Sequence, residues 1–539
     1  MNRLRVLLGQ RARRDGAQIA LWAGGTGLLA FAAYAGVDGT YGSADDRTSL
    51  LAAALANPVI LLFRGLPSGT APGAFIVFLI FPWLALLAAF MSTFLAVRHT
   101  RGDEEAGRAE LVAATPAGRT LPIVATVVHG ILANALAAAL VAGALIAVGL
   151  DASGAVLTGL AVGAVGVVFL GVGLLAAPLV RSSRAANSVS VWTVLVSFVL
   201  AGTGNAIGTP SDDLTRMESS WVTWLSPFGW GENTRAFDAD QWGPVYLCLV
   251  VGLALAAIAV AIASVRDLGS SLLGERRGRA EASALLSHPI GLVWRLTRGA
   301  LLGWAIGGFL VGMLSTSLAS IVADVGATNP AVEDILRQIA GQGSIAQGTV
   351  TTFFTMLGVF AACVAVQTVC RARQEEAHGT AEPLLSAPVH RVRWLAGYLV
   401  VALLGIAAVI GAGVLGAAAG IAGRDGDASL MRTVLITGAG QVAAASVFLV
   451  VTALLFVVAP RLTIPAGWTL VLVAMVLGLF GPLFQFPEWL VHVSPIAVTP
   501  LVDGEDVDLR GLWSLLVATA AGATASLALM RRRELAPAG

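Results

Sequence analysis

The sequence predicts an all-α polytopic membrane protein, with twelve transmembrane helices arranged as two pseudo-symmetric six-helix halves. Hydrophobic residues make up 57% of the chain and charged residues only 12%, whereas soluble proteins have roughly a half and a quarter. Apolar stretches recur that exceed the roughly 20 residues a helix needs to cross the hydrocarbon core. A polar loop also occurs twice, once in each half of the chain.

The repeated loop carries the same arrangement of Arg, Glu, Gly, Ala-Glu, Pro and Arg in both copies. The first copy runs from Arg101 to Arg119 and the second from Arg373 to Arg391, an offset of 272 residues at every matched position. Any short loop at a membrane surface collects charges, but that does not explain Gly, Ala-Glu and Pro in register. The pattern therefore indicates an internal duplication and a docking element used once per half.

The spans and one long polar segment divide the chain into three parts. Residues 1–265 form a six-span half that begins with a basic amphipathic helix at 1–16, whose arginines would snorkel to the membrane surface. Residues 266–298 form a polar linker that ends in a similar amphipathic helix, and residues 299–539 form the second six-span half. Such related halves are a common plan of transporters.

The distribution of arginine predicts the orientation. The chain has no lysine, so all 33 basic residues are arginines. Placing both termini in the cytoplasm puts most of these arginines on the cytoplasmic side, as the positive-inside rule requires. We therefore expect a multi-pass protein of the bacterial inner (cell) membrane with both termini in the cytoplasm.

The absence of lysine also bears on catalysis. A Walker A loop uses a lysine to reach the β- and γ-phosphates, so this chain cannot contain one. No HExxH motif, Ser/His/Asp cluster or paired carboxylates occur within a span, so we predict no catalytic residue, no metal site and no cofactor in this chain. Three cysteines without a CxxC spacing indicate neither disulfides nor a metal, and no nucleic-acid partner is expected.

The outer loop before the sixth span of each half carries a second repeat. Trp221-x-x-x-x-Ser226-Pro227 recurs as Trp489-x-x-x-x-Ser494-Pro495. Tryptophans at this depth form an interfacial belt in many membrane proteins. A short re-entrant helix pair that caps a pathway is the alternative interpretation, and the sequence leaves both open.

The repeated loop, the amphipathic helices and the outer aromatic loops together resemble permeases of the ABC-2 exporter class. The fused twelve-span form is similar to actinobacterial permeases of the polyketide-antibiotic, or tetronasin, exporter type. The loop match covers about twenty residues per half, as the copies quoted above show. The match in architecture covers the whole chain.

The resemblance implies a permease subunit that exports hydrophobic antibiotics, drugs or lipids and is not itself an enzyme. In that class the loop forms a coupling helix that inserts into a separate ATPase subunit, which binds ATP and Mg²⁺. The expected partners are two copies of such an ATPase, the lipid bilayer and a hydrophobic small-molecule substrate. The implied ATPase-coupling residues are Arg101, Glu104, Gly107, Glu110, Pro116 and Arg119 in the first loop, and Arg373, Glu376, Gly379, Glu382, Pro388 and Arg391 in the second.

The second loop departs from the first at one position. Pro383 follows Glu382 directly, and a proline suits the start of a helix rather than its interior. We therefore expect the second coupling helix to be broken or shorter, and the two docking sites to be unequal.

The resemblance also implies that the second and fifth spans of each half line the substrate path. Aromatic and methionine side chains suit a flexible apolar pocket, although in a span they more often face lipid or a neighbouring helix. The candidates are Phe90, Met91 and Phe94 in the first half, and Phe353, Phe354 and Met356 in the second.

Two other functions are compatible with twelve spans. A proton-coupled secondary carrier also has two six-span halves, but its typical G-x-x-x-D-[RK]-x-G-[RK]-[RK] loop is missing from residues 98–119. Such carriers need a titratable group within the membrane, and no Asp or Glu lies deep in a predicted span. A non-transporting assembly or signalling protein of ABC-2 fold is the other alternative.

Overall fold

The computed structural model confirms the all-α polytopic fold. Twelve helices among the residues it describes are long and apolar enough to cross a membrane. By contacts, the chain divides into two compact units, Met1–Arg277 and Gly278–Gly539, so the division falls inside the predicted linker. The described residues are 3–40, 42–55, 58–116, 118–273, 288–328, 345–422, 428–480, 487–503 and 506–534.

The first unit contains six long helices, α1, α4, α7, α8, α9 and α11, with shorter elements between them. Two short strands pair antiparallel in the loop that follows α9. The elements are α1 (Arg3–Thr40), α2 (Ala44–Leu55), α3 (Pro58–Phe63), α4 (Pro72–Arg98), α5 (Arg101–Glu105), α6 (Arg108–Ala113), α7 (Leu121–Ala147), α8 (Ala152–Leu179), α9 (Ser183–Ala206), β1 (Thr209–Pro210), β2 (Met217–Glu218), α10 (Pro227–Glu232) and α11 (Gly243–Val265).

The second unit repeats this order with six long helices, α12, α13, α15, α16, α17 and α19. A two-stranded antiparallel sheet again precedes the last helix. The elements are α12 (Pro289–Thr328), α13 (Ile345–Ala377), α14 (Ala381–Leu385), α15 (Arg391–Ala422), α16 (Ala428–Val458), α17 (Thr463–Phe480), α18 (Glu488–Val491), β3 (Leu501–Asp503), β4 (Asp506–Asp508) and α19 (Arg510–Met530).

The predicted amphipathic helices are not separate elements. Residues 3–16 and the first span form the single helix α1, because no proline interrupts the chain between them, and α12 likewise runs without a break from Pro289. Arg11 does not snorkel as expected: it is only 7% exposed and donates hydrogen bonds to Thr126 Oγ1 and the Pro122 carbonyl, each at 2.9 Å. The start of α1 therefore packs on α7.

Helix α8 is the centre of the first unit and packs against α4, α7 and α11. Small residues let the helices approach closely. A Cβ atom at Gly166 would lie 1.8 Å from Asn134 Oδ1, and one at Gly159 would lie 2.4 Å from the Ala138 carbonyl oxygen. Asn134 in turn donates to Ser92 Oγ at 2.8 Å. Close contact between small residues and hydrogen bonds between helices stabilise helix packing where lipid provides no hydrophobic drive.

Helices α12 and α15 form the closest helix pair of the second unit. A Cβ atom at Gly312 would lie 1.9 Å from the Gly413 carbonyl oxygen, and one at Gly416 would lie 1.9 Å from the Phe309 carbonyl oxygen. Thr316 Oγ1 donates to the Ala417 carbonyl at 3.1 Å. Gly312 on α12 and Gly416 on α15 therefore allow the close approach of these helices.

Candidate functional site

Both copies of the repeated loop turn at the same matched glycine. Gly107 has a φ of 68° and Gly379 a φ of 72°, a left-handed conformation that glycine adopts at little cost because it lacks a Cβ atom. In each copy the glycine separates the helical segment before it from a short helix, α6 or α14. We call each segment from the first matched arginine to the last a coupling loop (101–119 and 373–391).

Pro383 does not break the second short helix. Helix α14 has five residues and α6 has six, so the two short helices are nearly equal in length. Pro383 is the third residue of α14, where the backbone N–H of any residue would have no acceptor within the helix. The missing N–H of proline therefore costs little at this position.

The inner face of each coupling loop is a buried ion pair. Arg101 Nη1 lies 2.6 Å from Glu104 Oε2, and Arg373 Nη1 lies 3.5 Å from Glu376 Oε2. Arg101 is 1% exposed, Arg373 6% and Glu376 2%. Three of the predicted coupling residues, Arg101, Arg373 and Glu376, are therefore buried in their own unit and not accessible to a partner protein, whereas the Glu104 side chain is 12% exposed.

Each of these two glutamates also pairs with an arginine just beyond the last helix of its unit. Arg266, which directly follows α11, contacts Glu104 through Nη2. Arg533, three residues after α19, donates from Nη2 to both carboxylate oxygens of Glu376 at 2.8 Å. We call Arg266 and Arg533 the clamp arginines. They tie each coupling loop to the end of the sixth helix of the same unit.

Sequence reasoning did not identify the clamp arginines. The offset of 272 residues that relates the two loops does not relate Arg266 to Arg533, so the repeat carries no sign of them. The arginines that end the loops contact the same segments: Arg119 lies 3.7 Å from Asp267, and Arg391 donates to the Arg533 carbonyl. The Arg119–Asp267 pair is exposed to solvent and contributes little stability.

The outer face of each coupling loop carries an exposed acid. Glu110 and Glu382 are exposed, and within the described part of the chain neither carboxylate has a hydrogen-bond or ion-pair partner. Leu111, beside Glu110, is 73% exposed. Pro116 and Pro388 are also exposed, each three residues beyond the end of its short helix. This outer face is the part of the predicted site that a partner protein can reach.

Behind the first coupling loop, Asp15, His99 and His129 form a buried cluster. Both imidazoles contact Asp15 Oδ2 through Nε2, that of His129 at 3.2 Å. These donor types suit a metal ion, but Arg98 Nη1 lies 3.2 Å from Asp15 Oδ1 and opposes a further cation. His99 Nδ1 lies 3.5 Å from Asp103 Oδ2. The cluster thus forms a polar network that joins α1, α4 and α7 to the loop.

The outer aromatic loops expose their tryptophans and bury the serine of the repeated motif. Trp221 and Trp489 are 73% and 69% exposed, as a membrane-interface belt requires. The serine of each motif is buried and donates to a carbonyl of the fifth helix: Ser226 Oγ to Ser197 at 2.6 Å and Ser494 Oγ to Ala474 at 2.9 Å. Short helices, α10 and α18, lie beside these serines. The repeat therefore fixes the outer loop to its own unit.

Helix α10 ends in a buried acid that sequence reasoning missed. Glu232 is 5% exposed, and Asn205 Nδ2 donates to its Oε2 at 2.6 Å. Burial away from water raises the pKa of this carboxyl from 4.5 to about 8. Glu232 is therefore mostly neutral at pH 7. No pattern in the sequence distinguishes it from the exposed acids of the same loop.

This raised pKa predicts a pH-dependent stability. Because the pKa is higher in the folded than in the unfolded chain, Glu232 stabilises the fold below about pH 4.5, and that contribution is lost as the pH rises to about 8. We expect the unfolding temperature of Glu232→Gln to fall less between pH 5 and pH 8 than that of the wild type. Tryptophan fluorescence on heating measures this. Glu218→Gln, an exposed acid of the same loop, should follow the wild type; equal slopes in all three proteins would contradict the assignment.

The predicted substrate-path residues divide into two groups. Met91 and Phe354 are 4% and 0% exposed and lie in the packed cores of their units, so in this conformation neither lines a path. Phe90 and Phe94 are half-buried and stack on each other with ring centroids 5.8 Å apart. The remaining candidates are more accessible: Phe353 is half-buried and Met356 is 44% exposed.

The twelve spans and the two matched coupling loops define a permease of the ABC-2 exporter type. Residues 286–531 match the family described as "Multidrug efflux system permease Rv1217c, C-terminal domain". Over 528 residues, 97% of this chain and 93% of the relative, the sequence is 33% identical to the multidrug efflux system permease protein Rv1217c of Mycobacterium tuberculosis (strain ATCC 25618 / H37Rv). The chain belongs to this permease family.

Proposed function

We propose that this chain is the membrane subunit of an ATP-driven exporter of hydrophobic antibiotics or drugs. Two copies of a separate ATPase subunit bind ATP and Mg²⁺, and each docks on one coupling loop from the cytoplasm, where both termini also lie. The relative's description as a multidrug efflux system permease supports this class of substrate. The lack of lysine, which a Walker A loop requires, assigns ATP hydrolysis to the partner.

The observation that carries the proposal is the matched construction of the two loops. Each has a left-handed glycine, a short helix, and an exposed glutamate in the first turn of that helix. An exposed carboxylate can form charge-assisted hydrogen bonds with arginine on a partner and so fix its orientation. The buried pairs on the inner face hold the helix while the partner moves.

Native mass spectrometry of the chain, purified together with a co-expressed ATPase, tests this function. One permease chain that carries two ATPase subunits is the expected result. The matched control is the same preparation with Glu110→Arg, which should retain a single subunit on the second loop. A wild-type chain that retains no ATPase would refute the proposal and favour the carrier or the non-transporting protein.

The accessible residues of the proposed substrate path provide a further test. Alanine in place of Phe90, Phe94, Phe353 or Met356 removes apolar surface from a flexible pocket, so we expect altered resistance to some hydrophobic drugs and unchanged resistance to others. Growth inhibition by a drug panel measures this. Phe354→Ala, in the packed core, should instead lower stability by about 3–5 kcal/mol. Wild-type profiles for all four accessible variants would contradict the path.

Among the described residues, Glu232 favours proton coupling, because it is a buried acid whose pKa is raised by burial to about 8. It lies in the short helix α10 rather than in a span. In the proposed exporter, transport by Glu232→Gln still depends on ATP, and a protonophore has no direct effect. Drug efflux that stops in Glu232→Gln while ATP hydrolysis continues would favour the proton-coupled carrier.

A further inference from the structure

A cavity of about 640 Å³ lies beneath the first coupling loop. It is bounded by the beginnings of α1 and α7, the ends of α8 and α11, and the loop itself. The direction of the chain places all of these helix ends on the same side of the first unit. The cavity therefore lies where the spans of this unit meet the membrane surface.

The rim of the cavity is basic. It carries five arginines and two carboxylates, a net formal charge of +3 with histidine neutral: Arg11, Arg14, Arg108, Arg119 and Arg266, with Asp103 and Glu104. Both carboxylates are already paired, Asp103 with Arg14 and Arg108, and Glu104 with Arg266. Arg119 lies 3.7 Å from the exposed Asp267, so within the described part of the chain Arg11 is the rim arginine that remains without a paired carboxylate.

Arg11 is the cation that most needs an anionic partner. Its side chain is buried, and its hydrogen bonds go to two neutral groups, the Thr126 hydroxyl and the Pro122 carbonyl. Among the described residues, no carboxylate lies within 4.0 Å of its guanidinium; Asp103 and Asp15 attract it from farther away. A buried charge that lacks a close counter-charge is unfavourable, and an anion in the cavity would supply one.

The floor of the cavity is apolar and consists of the ends of membrane-spanning helices. Leu174 and Ala177 come from α8, Ala259 and Ala263 from α11, and Ile123 from α7. A small soluble anion would leave this surface in contact with water. An acyl chain would cover it and continue along the spans into the bilayer.

We propose that this cavity binds an acidic phospholipid, with its phosphate beside Arg11 and the start of one acyl chain on the floor. Basic pockets at the membrane surface between spanning helices are suited to such head groups. The bound lipid contacts α1, the coupling loop and α11 together, so it stabilises the loop in its docking position. Binding of the lipid does not depend on the ATPase.

Native mass spectrometry of the full chain, delipidated and then titrated with lipid, tests the proposal. We expect phosphatidylglycerol to bind about tenfold more tightly than phosphatidylcholine with the same acyl chains. Arg11→Gln should remove this preference. Arg13→Gln is the matched control, because Arg13 is an exposed arginine on the same helix and does not line the cavity.

Ala263→Phe is a second variant that tests the proposal independently of whether Arg11→Gln folds. It keeps all the charges of the cavity but fills its apolar floor, so it should weaken phosphatidylglycerol binding. Inorganic phosphate distinguishes a free anion from a lipid, since it should not compete at millimolar concentration. Equal binding of the two lipids, an equal loss in Arg13→Gln, or full competition by inorganic phosphate would each overturn the proposal.

Discussion

Glu110→Arg combined with Glu382→Arg is expected to reduce ATPase stimulation by this permease to the rate of the ATPase alone. Both carboxylates are exposed on the short helices of the coupling loops. In the proposed docking, reversing their charge places like charges opposite arginines on the partner, which costs several kcal/mol at an interface, or roughly a hundredfold in affinity. ATP hydrolysis by the reconstituted complex measures the effect, and pull-down of the ATPase separates lost binding from lost stimulation.

Folding and non-specific charge effects need a matched control. Neither glutamate has a side-chain partner among the described residues, so the unfolding temperature of the double variant should equal that of the wild type. Glu534→Arg makes the same exchange at an exposed acid just beyond the last span, and should retain full stimulation. Normal stimulation by the Glu110/Glu382 double variant would disprove docking at these loops.

Glu104→Gln is expected to uncouple ATP hydrolysis from transport without loss of the ATPase. The change removes the negative charge between Arg101 and Arg266, so the first coupling loop is held less firmly to the end of α11. The outer face that carries Glu110 is unchanged, so docking should persist. We expect efflux per ATP hydrolysed to fall roughly tenfold, the effect of losing about 1.4 kcal/mol of coupling. Paired measurements of efflux and hydrolysis in vesicles test this.

A double-mutant cycle distinguishes a clamp from general damage. Glu104→Gln combined with Arg266→Gln should be little more defective than either single variant, with an interaction free energy of about 0.5–3 kcal/mol. In the second unit, Glu376→Gln should reproduce the defect. Glu375→Gln is the control, since Glu375 pairs with Arg371 within one helix. If the two single effects simply add in the double variant, the clamp is not the cause.

Local features of the coupling loops could be predicted from sequence. The register of the repeat is evident from the sequence, and the matched glycines of both copies adopt the same left-handed conformation. Pro383 is expected to suit the start of a helix, and it lies in the first turn of α14. Backbone conformation and helix length depend on neighbouring residues in the chain, so a pattern of residue types carries them.

The accessibility of the same loop residues could not be predicted. Glu104 and Glu110 are both glutamates of one loop, yet the first is paired with Arg266 and the second is exposed. The residue type alone therefore does not distinguish the paired glutamate from the exposed one. Burial depends on which distant segment packs on each face of the loop, and a pattern within the loop contains no such information.

Hydrophobic length and in-register repeats are properties of contiguous segments, so the class of the protein, the number of spans and the duplication could all be predicted before the fold was known. Only the tertiary structure revealed the clamp arginines, which meet glutamates 162 and 157 residues away, and the Asp15 network, which joins three helices. The raised pKa of Glu232 also became apparent only from the tertiary structure, since it results from burial of the carboxyl by other elements. Such groups come together only when helices pack, because each helix brings side chains from its own part of the chain.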